Sequence, residues 1–238
     1  MTYIEGFIMP VPVTHQEGFI RFSAMADELW TQHGANRILE CWPDDSVPSD
    51  SGGFSASACC RDGEIAVFSW IEWQDKATRD RNMPLLEAAM QADPRFDPAL
   101  FPLPFDNDRV VSGCFRLLLE RGEPSPSPYV QGFVFPIDDG RQDALYDVAE
   151  RAWARLGQQG ACRLVLSWQD DFPDSRPVDF PALTGAGSHE RTVFAFVEWP
   201  SREAYREHAQ PCGPSGDDLP FDHARMMAGC FTPVILAT

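Results

Sequence analysis

Runs of alternating and helically spaced apolar residues predict the order β-α-β-β-α-β, and the pattern then begins again. Residues 4–9 (Ile-Glu-Gly-Phe-Ile-Met) hold one acid among apolar side chains, and Pro10 and Pro12 end them as a short strand. Phe19, Phe22, Ala26, Leu29, Trp30 and His33 recur at helical spacing and give one apolar face. Thr14 and Glu17 have capping-box spacing at the start of that helix, and Gly34 stands where a terminating glycine belongs. Residues 37–42 predict a second strand, and residues 46–62, rich in Ser, Gly, Asp and Pro, a loop. Residues 64–73 (Glu-Ile-Ala-Val-Phe-Ser-Trp-Ile-Glu-Trp) carry the strongest strand pattern. A helix over 75–91, interrupted near Pro84, and a strand over 109–119 complete a ferredoxin-like unit.

The second run of the pattern is a repeat. Tyr3-Ile-Glu-Gly-Phe-Ile-Met-Pro is matched by Tyr129-Val-Gln-Gly-Phe-Val-Phe-Pro, an offset of 126 residues that also relates Gly34 to Gly160 and Trp42 to Trp168. Val67-Phe-Ser-Trp-Ile-Glu-Trp and Val193-Phe-Ala-Phe-Val-Glu-Trp keep the same offset. Leu103-Pro-Phe-Asp-x-x-Arg109 and Leu219-Pro-Phe-Asp-x-x-Arg225 are offset by 116, so the second copy has lost ten residues around its second helix. The predicted organisation is a first unit over 1–120, a Pro/Ser linker over 121–128 and a second unit over 129–238 with a clipped second helix.

Tyr-x-x-Gly-Phe-x-x-Pro at Tyr3, Gly-Ala…Glu-Cys…Asp-Asp from Gly34, Phe-Ser-Trp-Ile at Phe68, Asp-Pro-Arg at Asp93 and Pro-Phe-Asp-x-x-Arg at Pro104 resemble the YbaA-like family of uncharacterised bacterial proteins. The resemblance covers residues 3–119 and, more weakly, 129–234. It implies an α+β fold: two ferredoxin-like β-α-β-β-α-β repeats whose antiparallel sheets pair into one intramolecular barrel of the dimeric α/β type. It implies no reaction, because the superfamily includes cofactor-free monooxygenases, haem proteins, isomerases and plain binding proteins.

Strand alternation separates two faces. Tyr3, Glu5, Phe7 and Met9 share one, as do Ile38, Glu40 and Trp42, and then Phe68, Trp70 and Glu72. These aromatic-and-acid sets are expected inside the barrel, with the small aliphatic sets (Ile4, Gly6, Ile8; Leu39, Cys41) under helices. A buried acid needs a partner, water or a ligand. In the second copy Glu5 becomes Gln131, Glu40 becomes Leu166 and Trp70 becomes Phe196. That asymmetry predicts one pocket lined by the first copy, with Glu5, Trp42, Phe68, Trp70, Glu72 and Arg109 as ligand contacts. Glu40 is then either a general base or hydrogen-bond acceptor, or the partner of a rim arginine. Arg109 either meets an acidic ligand or pairs with Asp106 as a turn cap. Asp44-Asp45 and Asp170-Asp171 read as solvated turn acids, being too few oxygens for a hard cation.

A formal charge of −17 over 238 residues excludes a basic footprint for nucleic acid or anionic membrane. Seven cysteines, the vicinal pair Cys59-Cys60 and five scattered ones, without zinc spacing predict reduced thiols in a cytoplasm, and the start of the chain has no signal-peptide pattern. No metal or cofactor motif is present. The expected activity is small-molecule binding of unknown function. The alternatives are a cofactor-independent monooxygenase or isomerase acting on an aromatic or polyketide-like substrate, or an interaction module with a filled barrel. A pseudo-dimer within one chain leaves room for a further homodimer.

Overall fold

A computed structural model describes residues 1–44, 46, 53–54, 60–172, 178–208 and 219–238. Its strands are β1 (Tyr3–Pro12), β2 (Ala35–Pro43), β3 (Glu64–Trp73), β4 (Val111–Gly122), β5 (Tyr129–Asp138), β6 (Arg163–Asp171), β7 (Glu190–Trp199) and β8 (Met227–Ala237). The helices are α1 (Gln16–Gln32), α2 (Lys76–Ala92), α3 (Gln142–Gln158), α4 (Phe180–Thr184) and α5 (Arg202–His208). All neighbouring strands are antiparallel, and the sheet closes in the order β1-β3-β2-β8-β5-β7-β6-β4. Closure leaves no sheet edge to protect. The seams between halves lie where β2 meets β8 and where β4 meets β6.

Local sequence accounts for most element ends. Gly34 and Gly160 end α1 and α3 at φ +94 and +95, a region that costs glycine least. Asp75 caps α2 by accepting the amide N–H of Thr78 at 2.7 Å. Two expectations are corrected. Thr14 and Glu17 form no capping box: a 3₁₀ turn, Val13–His15, leads into α1 without a side-chain cap. And α2 runs through Pro84 without a break, holding 17 residues. Its counterpart α5 has seven. The expected continuation of the clipped helix, 210–218, lies outside the described residues, as does most of the 46–62 loop.

The faces of β1 and β2 are the reverse of those expected. Ile4, Ile8, Leu39 and Cys41 join Phe68, Trp70, Val130, Val134, Phe194 and Phe196 in the barrel core. Because helices cover the outside of the sheet, both faces of these strands are buried, and polarity alone does not mark the inner one. Glycine does. A Cβ on Gly6 would stand 2.8 Å from the Phe194 ring, and one on Gly132 would stand 2.9 Å from Phe68. Each ring thus lies on the glycine of the other half, and the two rings stack with centroids 4.6 Å apart. Trp70 and Phe196 stack beside them at 4.0 Å. Phe54 and Phe180, offset by 126, enter one end of the barrel against Phe231 and Phe115. The centre where a pocket was expected is therefore taken up by rings.

At the opposite end stands an ion network of Arg37, Arg163, Glu72 and Glu198, which Glu120 joins by accepting from Arg163 Nε at 2.8 Å. Arg37 donates to Glu198 at 2.7 and 2.9 Å, and Arg163 donates to Glu72 at 2.7 and 2.9 Å. The cross-pairs, Arg37–Glu72 and Arg163–Glu198, are both 3.2 Å. These side chains are nearly inaccessible, and mutual pairing is what makes their burial tolerable. Outside, Tyr3 donates to Asp170 and Tyr129 to Asp44, clamping the halves across each seam. Of the turn acids expected to be solvated, Asp44 and Asp170 are those clamps, with Lys76 also holding Asp170 and Arg202 holding Asp44; Asp171 is exposed, and Asp45 lies outside the described residues.

Candidate site: an acid pair beneath the first helix

Three differences between the copies suggested a pocket, and two of them have structural partners. Glu5 lies under α2, where Arg79 donates to it at 3.0 and 3.2 Å and Trp73 Nε1 at 3.3 Å. The matching Gln131 accepts from Trp199 Nε1 at 2.8 Å, but the place of Arg79 is taken by Tyr205. With no arginine at that place, the acid is a neutral amide. Trp70 Nε1 donates to Glu72 at 3.0 Å. Phe196 has no such donor, and the backbone N–H of Ser125 in the linker serves Glu198 instead, at 3.0 Å.

Glu40 is the difference without such an explanation. It lies on the outer face of β2 beneath α1, and among the described residues no arginine pairs with it. Ser69 donates a short hydrogen bond to Glu40 Oε2, and Asp27, from the buried side of α1, acts on it as a like charge. Burial first, and then that charge, raise the Glu40 carboxyl well above its ordinary value. Burial pushes Asp27 up to about 7. Asp27 is 3% exposed, and its Oδ2 has no hydrogen-bond partner among the described residues. It lines an open groove of about 420 Å³ between α1 and β8, with Ala24, Thr31, Ile235 and Ala237. Two buried carboxyls that do not both ionise keep a proton available near neutral pH, one as acid and the other as base.

The second half removes the whole set. Ser23, Asp27, Glu40 and Ser69 correspond at the 126 offset to Ala149, Trp153, Leu166 and Ala195. Sequence reasoning missed Asp27. The signal was present: an acid eight residues after Phe19 and four after Ser23 sits inside the apolar stripe of α1.

The remaining expected contacts do not converge on Glu40. Phe68, Trp70 and Glu72 come together inside the barrel, and Glu72 is held below its ordinary value because Arg163, Trp70 and Arg37 outweigh the opposing effect of burial. Trp42 packs on Phe19 outside, with centroids 6.1 Å apart. Arg109 forms a fork on Glu64 at 2.6 and 2.7 Å and bonds Asp106 at 3.0 Å, the pairing expected of a turn cap. Arg225, Glu190 and Asp222 repeat that arrangement.

A closed eight-stranded antiparallel barrel with helices outside places the chain among dimeric-type α/β barrels. The barrel is matched over 99% of this chain and 92% of the other by an anthrone oxidase-like protein, with a TM-score of 0.57 at 12% identity. A Lactobacillus acidophilus structure described provisionally as a monooxygenase aligns with a TM-score of 0.57 at 11% identity, over 100% of this chain and 96% of its own. At such identities the likeness is one of fold. The sequence is more specific. The profile of DUF1428, a family of proteins of unknown function, matches residues 2–107 and again 128–213, and the chain belongs to that family. The uncharacterised protein YbaA of Escherichia coli K12 is 32% identical over 120 residues, 99% of its length and 50% of this chain. YbaA of Shigella flexneri matches to the same extent.

Proposed function

We propose that the chain is a fused pair of ferredoxin-like β-α-β-β-α-β units, 1–120 and 129–238 joined by 121–128, in which the first unit alone keeps an acid–base site. The matched ion network, clamps and ring stack support the duplication. The site is the Asp27–Glu40 pair, and its ligand is a small, largely apolar molecule lying in the groove between α1 and β8. The observation that carries this reading is the unpartnered, buried Oδ2 of Asp27 at that groove.

Of the two acids, Asp27 faces the groove and is the base. Glu40 stands behind it, its carboxyl raised by burial and by Asp27, and is fixed by Ser69, so it acts as a positioning residue. The reaction class that fits is proton transfer at carbon. Asp27 takes a proton from a C–H made acidic by an adjacent carbonyl, and returns it to another carbon of the same delocalised anion. The product is an isomer, and atoms and electrons balance without a cofactor. Oxygenation, which the names of the fold neighbours suggest, would need dioxygen as a co-substrate.

The test is exchange of carbon-bound hydrogen for deuterium in D₂O across a panel of small cyclic ketones and phenols. The wild type is expected to exchange at least one compound, and Asp27→Asn to lose that exchange by about 10²-fold or more. Exchange that is equal in both would sink the reading. The ring-filled barrel favours a second, purely structural role, under which the whole panel stays silent while the fold is intact.

A further inference from the structure

The matched position in the second half is not filled in. Beneath α3, against the outer face of β5, β6 and β7, lies a partly open cavity of about 110 Å³. Its walls are almost wholly apolar: Leu145, Ala149 and Leu156 from α3, Leu166 and Ala195 from the sheet, and Phe221. The corresponding side chains in the first half are Phe19, Ser23, Trp30, Glu40, Ser69 and Phe105. Two large rings have thus become leucines, and three polar groups have become Ala, Leu and Ala. Trp153, which stands where the first half has Asp27, does not line the space. Its ring lies against Gly157, and a Cβ on Gly122 would stand 2.7 Å from it.

The chemistry of such a space is specific. Water needs two to four polar partners to stay in a cavity, and these walls supply almost none. An apolar cavity of this order, roughly 150 Å³ in the case best studied, stays dry and takes up benzene or xenon. The polar residues in its described lining are Gln131, which is engaged by Trp199, and Arg155, which is exposed on α3. Arg155 is the one charged side chain in the described lining, and no acid lines the cavity.

We infer that the cavity beneath α3 is a second ligand site, which takes a small neutral aromatic or aliphatic molecule. It is distinct from the acid pair under α1 and does not depend on it. A fused chain can hold two sites of different chemistry at equivalent places because each half varies separately, which a homodimer of identical chains cannot do.

Benzene and indole are the probes. Each is titrated into ¹⁵N-labelled full-length protein, with chemical shifts and the thermal midpoint as readouts. The expected result is saturable shift changes confined to α3 and the facing parts of β6 and β7, with a rise in midpoint. Ala195→Leu, which places a larger side chain in the cavity, is expected to weaken binding at least tenfold, and Ser69→Ala at the matched place in the first half to leave it unchanged. Should Ala195→Leu fail to fold, Ala152→Leu on α3 fills the same space from the other wall. The inference is overturned if neither probe perturbs α3, or if the filled variants bind as well as the wild type.

Discussion

Beneath α1 the sheet carries Ser69 and Glu40 against Ser23 and Asp27, whereas beneath α3 the same four places hold Ala195, Leu166, Ala149 and Trp153. The barrel interior, by contrast, is nearly the same from both sides: two arginines, two glutamates and a stack of rings related by one offset. The difference separates what the fold requires from what it allows. Groups that hold the halves together are kept in both copies, because each contacts its opposite number across the barrel. The chamber between a helix and its own sheet has no such tie, and there the copies part.

The largest effect should come from the shared interior. Replacing Glu198 by Gln leaves Arg37 without its bidentate partner and is expected to cost about 3–5 kcal/mol in denaturant unfolding. Glu72→Gln should cost a similar amount. If one were nearly neutral, the two-sided account of the network would be wrong.

Next is a pH dependence found in one half only. Burial raises Asp27 from 3.8 to about 7, so the folded state binds the proton more tightly than the unfolded chain does. The resulting stability is fully present below about pH 4 and is lost as pH rises through about 7. Asp27→Asn should flatten that fall and leave the variant more stable than wild type at pH 8, by on the order of 3 kcal/mol. Thermal melts of both proteins from pH 4 to 8 read this directly, and parallel curves would remove the acid pair from the account.

Gly6→Ala and Gly132→Ala should each cost about 1–3 kcal/mol, since the added methyl meets a stacked ring in either half. Urea midpoints that moved for only one of them would break the equivalence of the two interior faces. The smallest effect concerns Glu5. Glu5→Gln in the presence of Arg79 should destabilise by about 1 kcal/mol, and the double change with Arg79→Tyr, which copies the second half, should recover part of it.

The sequence made the architecture legible because each strand, helix and glycine stop occurs twice at one offset. It also marked Arg109 and Asp106 as a turn cap in one of two readings. The inner and outer faces of β1 and β2 were not legible, since helices bury the outer face as fully as the barrel buries the inner one. The clue was Gly6 facing a ring from the other half, a contact that no local pattern contains. Glu40 could be singled out, but its partners could not, because Ser69 and Asp27 come from separate elements. Glu5 and Trp70 looked like pocket residues for the same reason: Arg79 and the Ser125 amide are visible only once the chain is folded.

The central claim is that the matched chambers have different chemistry, one of them holding a proton near neutral pH. Carboxyl ¹³C shifts of Asp27 and Glu40, followed from pH 3 to 9 with Asp27→Asn and Glu40→Gln for assignment, test it most directly. The account predicts that Asp27 titrates near pH 7 and that Glu40 titrates well above the ordinary carboxylate range. Two carboxyls that both ionise between about pH 4 and 5, as solvated acids do, would contradict it.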